Sequence, residues 1–107
     1  MPPYVVIATH EPSFCPGSHG KVRRVWKDIQ AAVPAALQKH GIKHTFGPVL
    51  LAGAHKIIVG LEAPNADAIL DFGHETRLDQ IQVTELYRAT PLDKVFAEAE
   101  RNLPSLF

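Results

Sequence analysis

Near the start of the chain His10, Cys15 and His19 follow one another in the spacing His-x4-Cys-x3-His, and a further histidine stands at His55. Imidazole nitrogen and thiolate sulfur are the soft and borderline donors that suit zinc or copper. These four residues are the candidate metal ligands. The spacing matches no established ligand signature, so residue chemistry alone carries the reading. The competing reading is that the histidines are loop and strand-end residues that hydrogen-bond or face water.

The same segment supports a second chemistry. The loop Cys15-Pro16-Gly17-Ser18-His19-Gly20 opens a helix whose first turns carry Lys21, Arg23, Arg24 and Lys27. Free backbone amides, the positive end of the helix dipole and basic side chains favour an anion there. The same field would favour a thiolate on Cys15, which is expected to be accessible and more reactive than a free thiol. Cys15, Ser18, Lys21 and Trp26 are the candidate ligand-binding residues. Cys15-x5-Lys21 superficially resembles the phosphatase cysteine loop. That match fails, because those enzymes need the bidentate fork of arginine where this chain has lysine. The plain alternative is a solvated basic helix face beside an inert cysteine.

A third reading is an apolar pocket between helices and sheet, lined by Trp26, Phe46, Phe72 and Tyr87, that takes a haem or a small organic substrate. A histidine would then serve as axial ligand or base. Aromatics at such positions are more often plain core. The chain shows no nucleophile–base pair, carboxylate dyad or dinucleotide fingerprint that would raise an enzyme above a binding protein.

The elements that must position these groups can be read along the chain. Tyr4–His10 is β-branched and apolar on both faces, the pattern of a buried strand. Pro12, Pro16, Gly17 and Gly20 break a loop. A helix is expected from Ser18 or His19 to His40, with Val22, Val25, Trp26, Ile29, Val33 and Leu37 on one face and Pro34 inside it. Gly41 stops it. A second strand covers Ile42–Leu51, with Gly47-Pro48 marking a bulge or an edge position. After the Ala52-Gly53-Ala54 turn comes a third strand, His55–Glu62. Asn65 caps a short helix that ends near Glu75 and carries Ala66, Ile69, Leu70 and Gly73 on one side. Ile81–Arg88 is the fourth strand. Thr90-Pro91-Leu92-Asp93 opens a third helix, with Leu92, Val95, Phe96, Ala99 and Leu103 as its apolar stripe and Pro104 as its end.

This order, β-α-β-β-α-β plus a C-terminal helix, is that of a ferredoxin-like α+β domain spanning 1–107. Right-handed crossovers put strands one and three at the centre of the sheet. Helices cover one face only, yet both central strands are apolar on both sides. The second face therefore wants a cover, supplied in part by the C-terminal helix and in part by a second subunit. The topology also gathers His10, Cys15, Ser18, His19, the Ala52–His55 turn, His74 and Glu75 at one edge, and sends His40 and His44 to the other.

The element order, the two-faced central strands and the segments Thr9-His10-Glu11-Pro12-Ser13-Phe14-Cys15-Pro16, Gly47-Pro48, His55-Lys56 and Tyr87-Arg88-Ala89-Thr90-Pro91-Leu92 resemble the dimeric α+β barrel superfamily, in particular its small uncharacterised stress-responsive or GYD-type members. The resemblance implies a homodimer. The superfamily hosts haem-degrading and cofactor-free monooxygenases, lactone isomerases and plain ligand binders, so the fold licenses no single activity. The leading expectation is a small-ligand or metal-binding homodimer with its site at the His10–Cys15–His55 edge. A small oxidoreductase or isomerase, and a structural or regulatory dimer without ligand, are the alternatives.

Eleven basic and eleven acidic residues give zero net charge, which argues against non-specific nucleic-acid binding and a membrane-surface role. No apolar run approaches the roughly 18 residues of a bilayer span. The single cysteine and the lack of a basic leader lead to the expectation of a cytoplasmic protein.

Overall fold

The run PYVVIAT forms β1 (Pro3–Thr9), and its alternation decides the layering of the domain. In the computed structural model, which describes residues 1–18 and 20–102, Tyr4, Val6 and Ala8 are buried while Val5 and Ile7 on the other face are only half-buried. The remaining elements are α1 (Gly20–Lys39), β2 (Lys43–Leu51), β3 (Lys56–Glu62), α2 (Ala66–Glu75), α3 (Leu78–Ile81), β4 (Val83–Arg88) and α4 (Leu92–Asn102). The strands make one antiparallel sheet in the order β2-β3-β1-β4. The two strands with continuous apolar runs are thus the central pair, joined from Pro3 opposite Glu62 to Thr9 opposite Lys56.

The core lies between the sheet and the α1–α2 layer. Tyr4, Val6 and Leu61 from the sheet meet Ala36 of α1 and Ile69 and Phe72 of α2. Asn65 caps α2 by accepting a 2.9 Å bond from the Ala68 amide, an interaction worth about 1 kcal/mol at such positions. Edge strand β2 is irregular between His44 and Val49. Gly47 sits there at φ 74°, and a Cβ would lie 2.8 Å from the Ile58 carbonyl oxygen, so the crossing of backbones requires glycine.

Several expectations need correction. α1 begins at Gly20, within two residues of the expected start. A short helix, α3, occupies Leu78–Ile81, so β4 starts at Val83 and not at Ile81. Arg77 adopts a left-handed conformation (φ 65°) that turns the chain after α2, and Leu78 then packs against the core. The C-terminal helix does not cover the sheet: every described side chain from Leu92 to Arg101 is exposed. Leu103 and Pro104 lie outside the described residues. The projecting helix stretches the molecule to a radius of gyration of 16.7 Å, against about 13 Å for a compact chain of this length.

The register also settles the second sheet face. Val5 pairs with Tyr87, Phe46 with Gly60 and Val49 with Ile58. These residues share the side that α1 and α2 leave bare, and Phe46 and Tyr87 are 55% and 51% exposed there. Neither lines a helix–sheet pocket, contrary to the expectation from composition.

Candidate functional site

β1 runs out at Thr9, and the next residue continues its alternation, so His10 faces the helix layer with Ala8 and Val6. Its amide donates to the carbonyl of His55 at 3.0 Å, extending the β1–β3 ladder by one step. His55 closes the turn before β3 in a left-handed conformation (φ 53°), which costs a non-glycine residue about 1–2 kcal/mol. The two imidazoles meet edge to face, with ring centroids 5.5 Å apart.

Cys15 reaches the same place by a folded loop. The Phe14 amide bonds the Glu11 carbonyl, the Cys15 amide that of Pro12, and the Ser18 amide that of Cys15. Two side chains of α1 pin this loop. Trp26 donates its indole N–H to the Phe14 carbonyl at 2.6 Å, and Arg23 donates to the Ser18 carbonyl at 2.8 Å. Trp26 is itself buried and meets His10 edge to face at 5.9 Å. One donor atom from each of His10, Cys15 and His55 then lies within 4.8 Å of the others. In a tetrahedral zinc site with bonds of 2.0–2.3 Å, donor atoms are roughly 3.3–3.8 Å apart. A bound ion would therefore need donor separations shortened by up to about 1–1.5 Å.

His10 is the unusual member. It is only 3% exposed, and neither ring nitrogen has a hydrogen-bond partner among the described residues. Burial, and secondarily the neighbouring His55, lower its pKa below the ordinary value near 6.5. Both effects favour the neutral imidazole, the form that donates a lone pair to a metal.

The remaining candidates divide. Ser18 is half-buried and forms part of the loop, through its amide and its carbonyl. Lys21 is exposed on the outer face of α1, and Trp26 is a wall of the site. His19 lies outside the described residues. His74 does not join the trio: its ring is 85% exposed and bonds Asp79 at 3.2 Å. Glu75 was expected at this edge, but it takes bonds from Lys39 at 2.5 Å and His40 at 2.7 Å at the far end of α1. Those bonds lower its pKa. The short α2 is laid so that its last turn meets the last turn of α1.

Behind Trp26 lies a cavity of about 270 Å³ between the helices and the sheet. Trp26 and Phe72, two of the four aromatics expected to line such a space, do so. Gly73, Asp79 and Gln82, not singled out for the pocket from the sequence, line it as well. A glycine inside a helical pattern was the available signal for the first of them.

No protein-family model matches the chain, and no curated protein matches it. Among solved structures it is similar to "De novo designed protein Foldit4", with 16% sequence identity and a TM-score of 0.42 over 83% of this chain and 94% of that chain. Among the described residues, no helix is long and apolar enough to cross a membrane.

Proposed function

We propose that the protein is a homodimeric domain that binds a zinc or copper ion through His10, Cys15 and His55. The observation that carries this reading is a buried imidazole whose two nitrogens have no partner among the described residues, with one donor atom within 4.8 Å of a thiol and of a second imidazole. A buried polar group without a partner costs about 1–3 kcal/mol, and a coordinate bond at one nitrogen removes part of that cost. The strained His55 backbone supports the same reading, since strain concentrates at sites with a task. Three protein donors leave a fourth position for solvent, a ligand or another side chain. A free thiol donor is compatible with the reducing cytoplasm.

The dimeric part of the proposal, and with it membership of the dimeric α+β barrel superfamily, draws on the bare sheet face. Val5, Ile7, Phe46, Val49, Val83 and Tyr87 share this face, which only Glu85, opposite Ile7, interrupts near its centre, and exposed apolar patches of this sort can mark interaction surfaces.

The test is a titration of untagged, chelator-treated protein with cobalt(II) and zinc. Cobalt bound to Cys15 gives a thiolate charge-transfer band that zinc displaces. Cys15→Ser abolishes the band, and His10→Ala or His55→Ala weakens zinc binding by more than about tenfold, because even residues outside the ligand shell cost that much. Metal affinity unchanged in Cys15→Ser would overturn the assignment.

A further inference from the structure

We propose that the cavity between α1, α2 and the sheet binds an uncharged, flat apolar molecule that carries one hydrogen-bond donor. The inference is independent of the metal reading, since none of the three metal ligands lines this space.

Three observations carry it. The first is the room and its walls. About 270 Å³ is enclosed chiefly by apolar side chains, with Val6, Ala8 and Leu61 below and Trp26, Ile69 and Phe72 above. An apolar cavity of about 150 Å³ is enough for a benzene ring, so this one has space for a fused bicyclic ring.

The second is Gly73. It lies within α2 and lines the cavity, and a Cβ built there would meet no atom within 4 Å. Its φ is not in the left-handed region, so no backbone reason demands glycine. Glycine weakens a helix interior relative to alanine. The chain thus forgoes a helix-stabilising residue at a position where a side chain would fill the space.

The third is Gln82. Its Oε1 is buried and has no partner among the described residues, and the residue lines the same cavity. A carbonyl oxygen so placed calls for a donor, which an occupant with a hydroxyl or N–H supplies. The described lining holds no lysine or arginine, and its two ionisable members, His44 and Asp79, both stand at the exposed rim, so the enclosed part of the cavity offers an anion no charged partner.

Trp26, the single tryptophan, lines the cavity and reports on it. The experiment titrates isotope-labelled wild-type protein, in chelator, with 2-naphthol and with 2-methoxynaphthalene, following the Trp26 indole N–H resonance. Both probes shift the resonance, and 2-naphthol binds about tenfold more tightly, the effect of one net hydrogen bond. Gln82→Leu brings the ratio of affinities to about one. Gly73→Leu weakens both probes by more than tenfold while the protein still unfolds cooperatively, and Gly73→Ala, the smaller change, weakens them less. The proposal is overturned if neither probe shifts Trp26 up to its solubility limit. Equal affinities for the two probes in the wild type would overturn it too, as would undiminished binding in folded Gly73→Leu or Gly73→Ala.

Discussion

If His10 is kept as a ligand at the expense of stability, then replacing it with leucine makes the metal-free protein more stable. The ring contributes one N–H donor and one acceptor, both buried without partners. Each such group costs about 1–3 kcal/mol, so the pair costs roughly 2–6 kcal/mol. Against this stand the edge-to-face contacts with Trp26 and His55, each worth about 0.5–1.5 kcal/mol and lost in the variant. Leucine is similar in volume to histidine, so neither a large cavity nor severe overpacking is added. At the midpoints of these ranges the balance is a gain of about 2 kcal/mol. In a domain near this size each kcal/mol moves the unfolding midpoint by roughly 4–8 °C. Thermal unfolding in chelator, at one fixed protein concentration, should therefore place His10→Leu about 8–16 °C above wild type. Excess zinc should then narrow or reverse the order. Wild type gains about 2.7 kcal/mol at one hundred times the dissociation constant, and the variant gains little. A metal-free variant less stable than wild type would mean that the nitrogens of His10 are satisfied within the protein, and the main support for the metal site would be gone.

Other expectations are smaller in scope. The lowered pKa of His10 implies a proton that the unfolded chain takes up and the folded chain resists. Metal-free stability is thus full above about pH 6.5 and is lost as pH falls through the lower folded value; His10→Leu should flatten that part of the profile, as read by denaturant midpoints. Val5 lies on the bare sheet face, whereas Val6 is in the core, so Val5→Lys should yield a folded monomer by light scattering. A wild type that is monomeric at micromolar concentration refutes the dimer. Zinc should slow the reaction of Cys15 with a thiol reagent by at least about tenfold, because coordination occupies the thiolate. Equal rates with and without zinc would exclude Cys15 as a ligand.

The meeting of His10 and His55 was legible because it depends only on which strands are neighbours. Two apolar runs had to be the central pair, one ending at His10 and the other beginning at His55. Cys15 followed from a loop too short to carry it elsewhere. What escaped the sequence depends on register and on helix placement. Phe46 and Tyr87 look like pocket aromatics until the pairing with Gly60 and Val5 turns them to the bare face. The parity of a single strand fixes which residues share a side, but not which side is covered. Glu75 was misplaced because topology gives the direction of α2 but not the tilt that brings its last turn to Lys39 and His40. The apolar stripe of α4 could be read from Leu92, Val95 and Phe96. That the stripe stands clear of its own sheet could not, since periodicity says nothing of where a helix docks.

The features left unsatisfied are of three kinds, and each calls for a different partner. His10 offers buried nitrogens, which a metal ion can use and an apolar molecule cannot. Gln82 offers a buried oxygen inside an apolar space, where a desolvated cation would lack its remaining ligands. The bare sheet face and the stripe of α4 offer mainly apolar area, broken on the sheet by Glu85, which another large surface can cover. None of the three partners can substitute for another, so their effects on stability should be separable. A domain of this size holds a net stability of about 5–15 kcal/mol. An orphaned imidazole, a strained His55 and an exposed apolar face each draw on that margin. On the proposed function the metal-free monomer would therefore be the least stable form of the protein. Each proposal then predicts a gain in stability that depends on its own residues: added zinc on Cys15, dilution-sensitive association on Val5, and a small molecule in the cavity on Gly73 and Gln82.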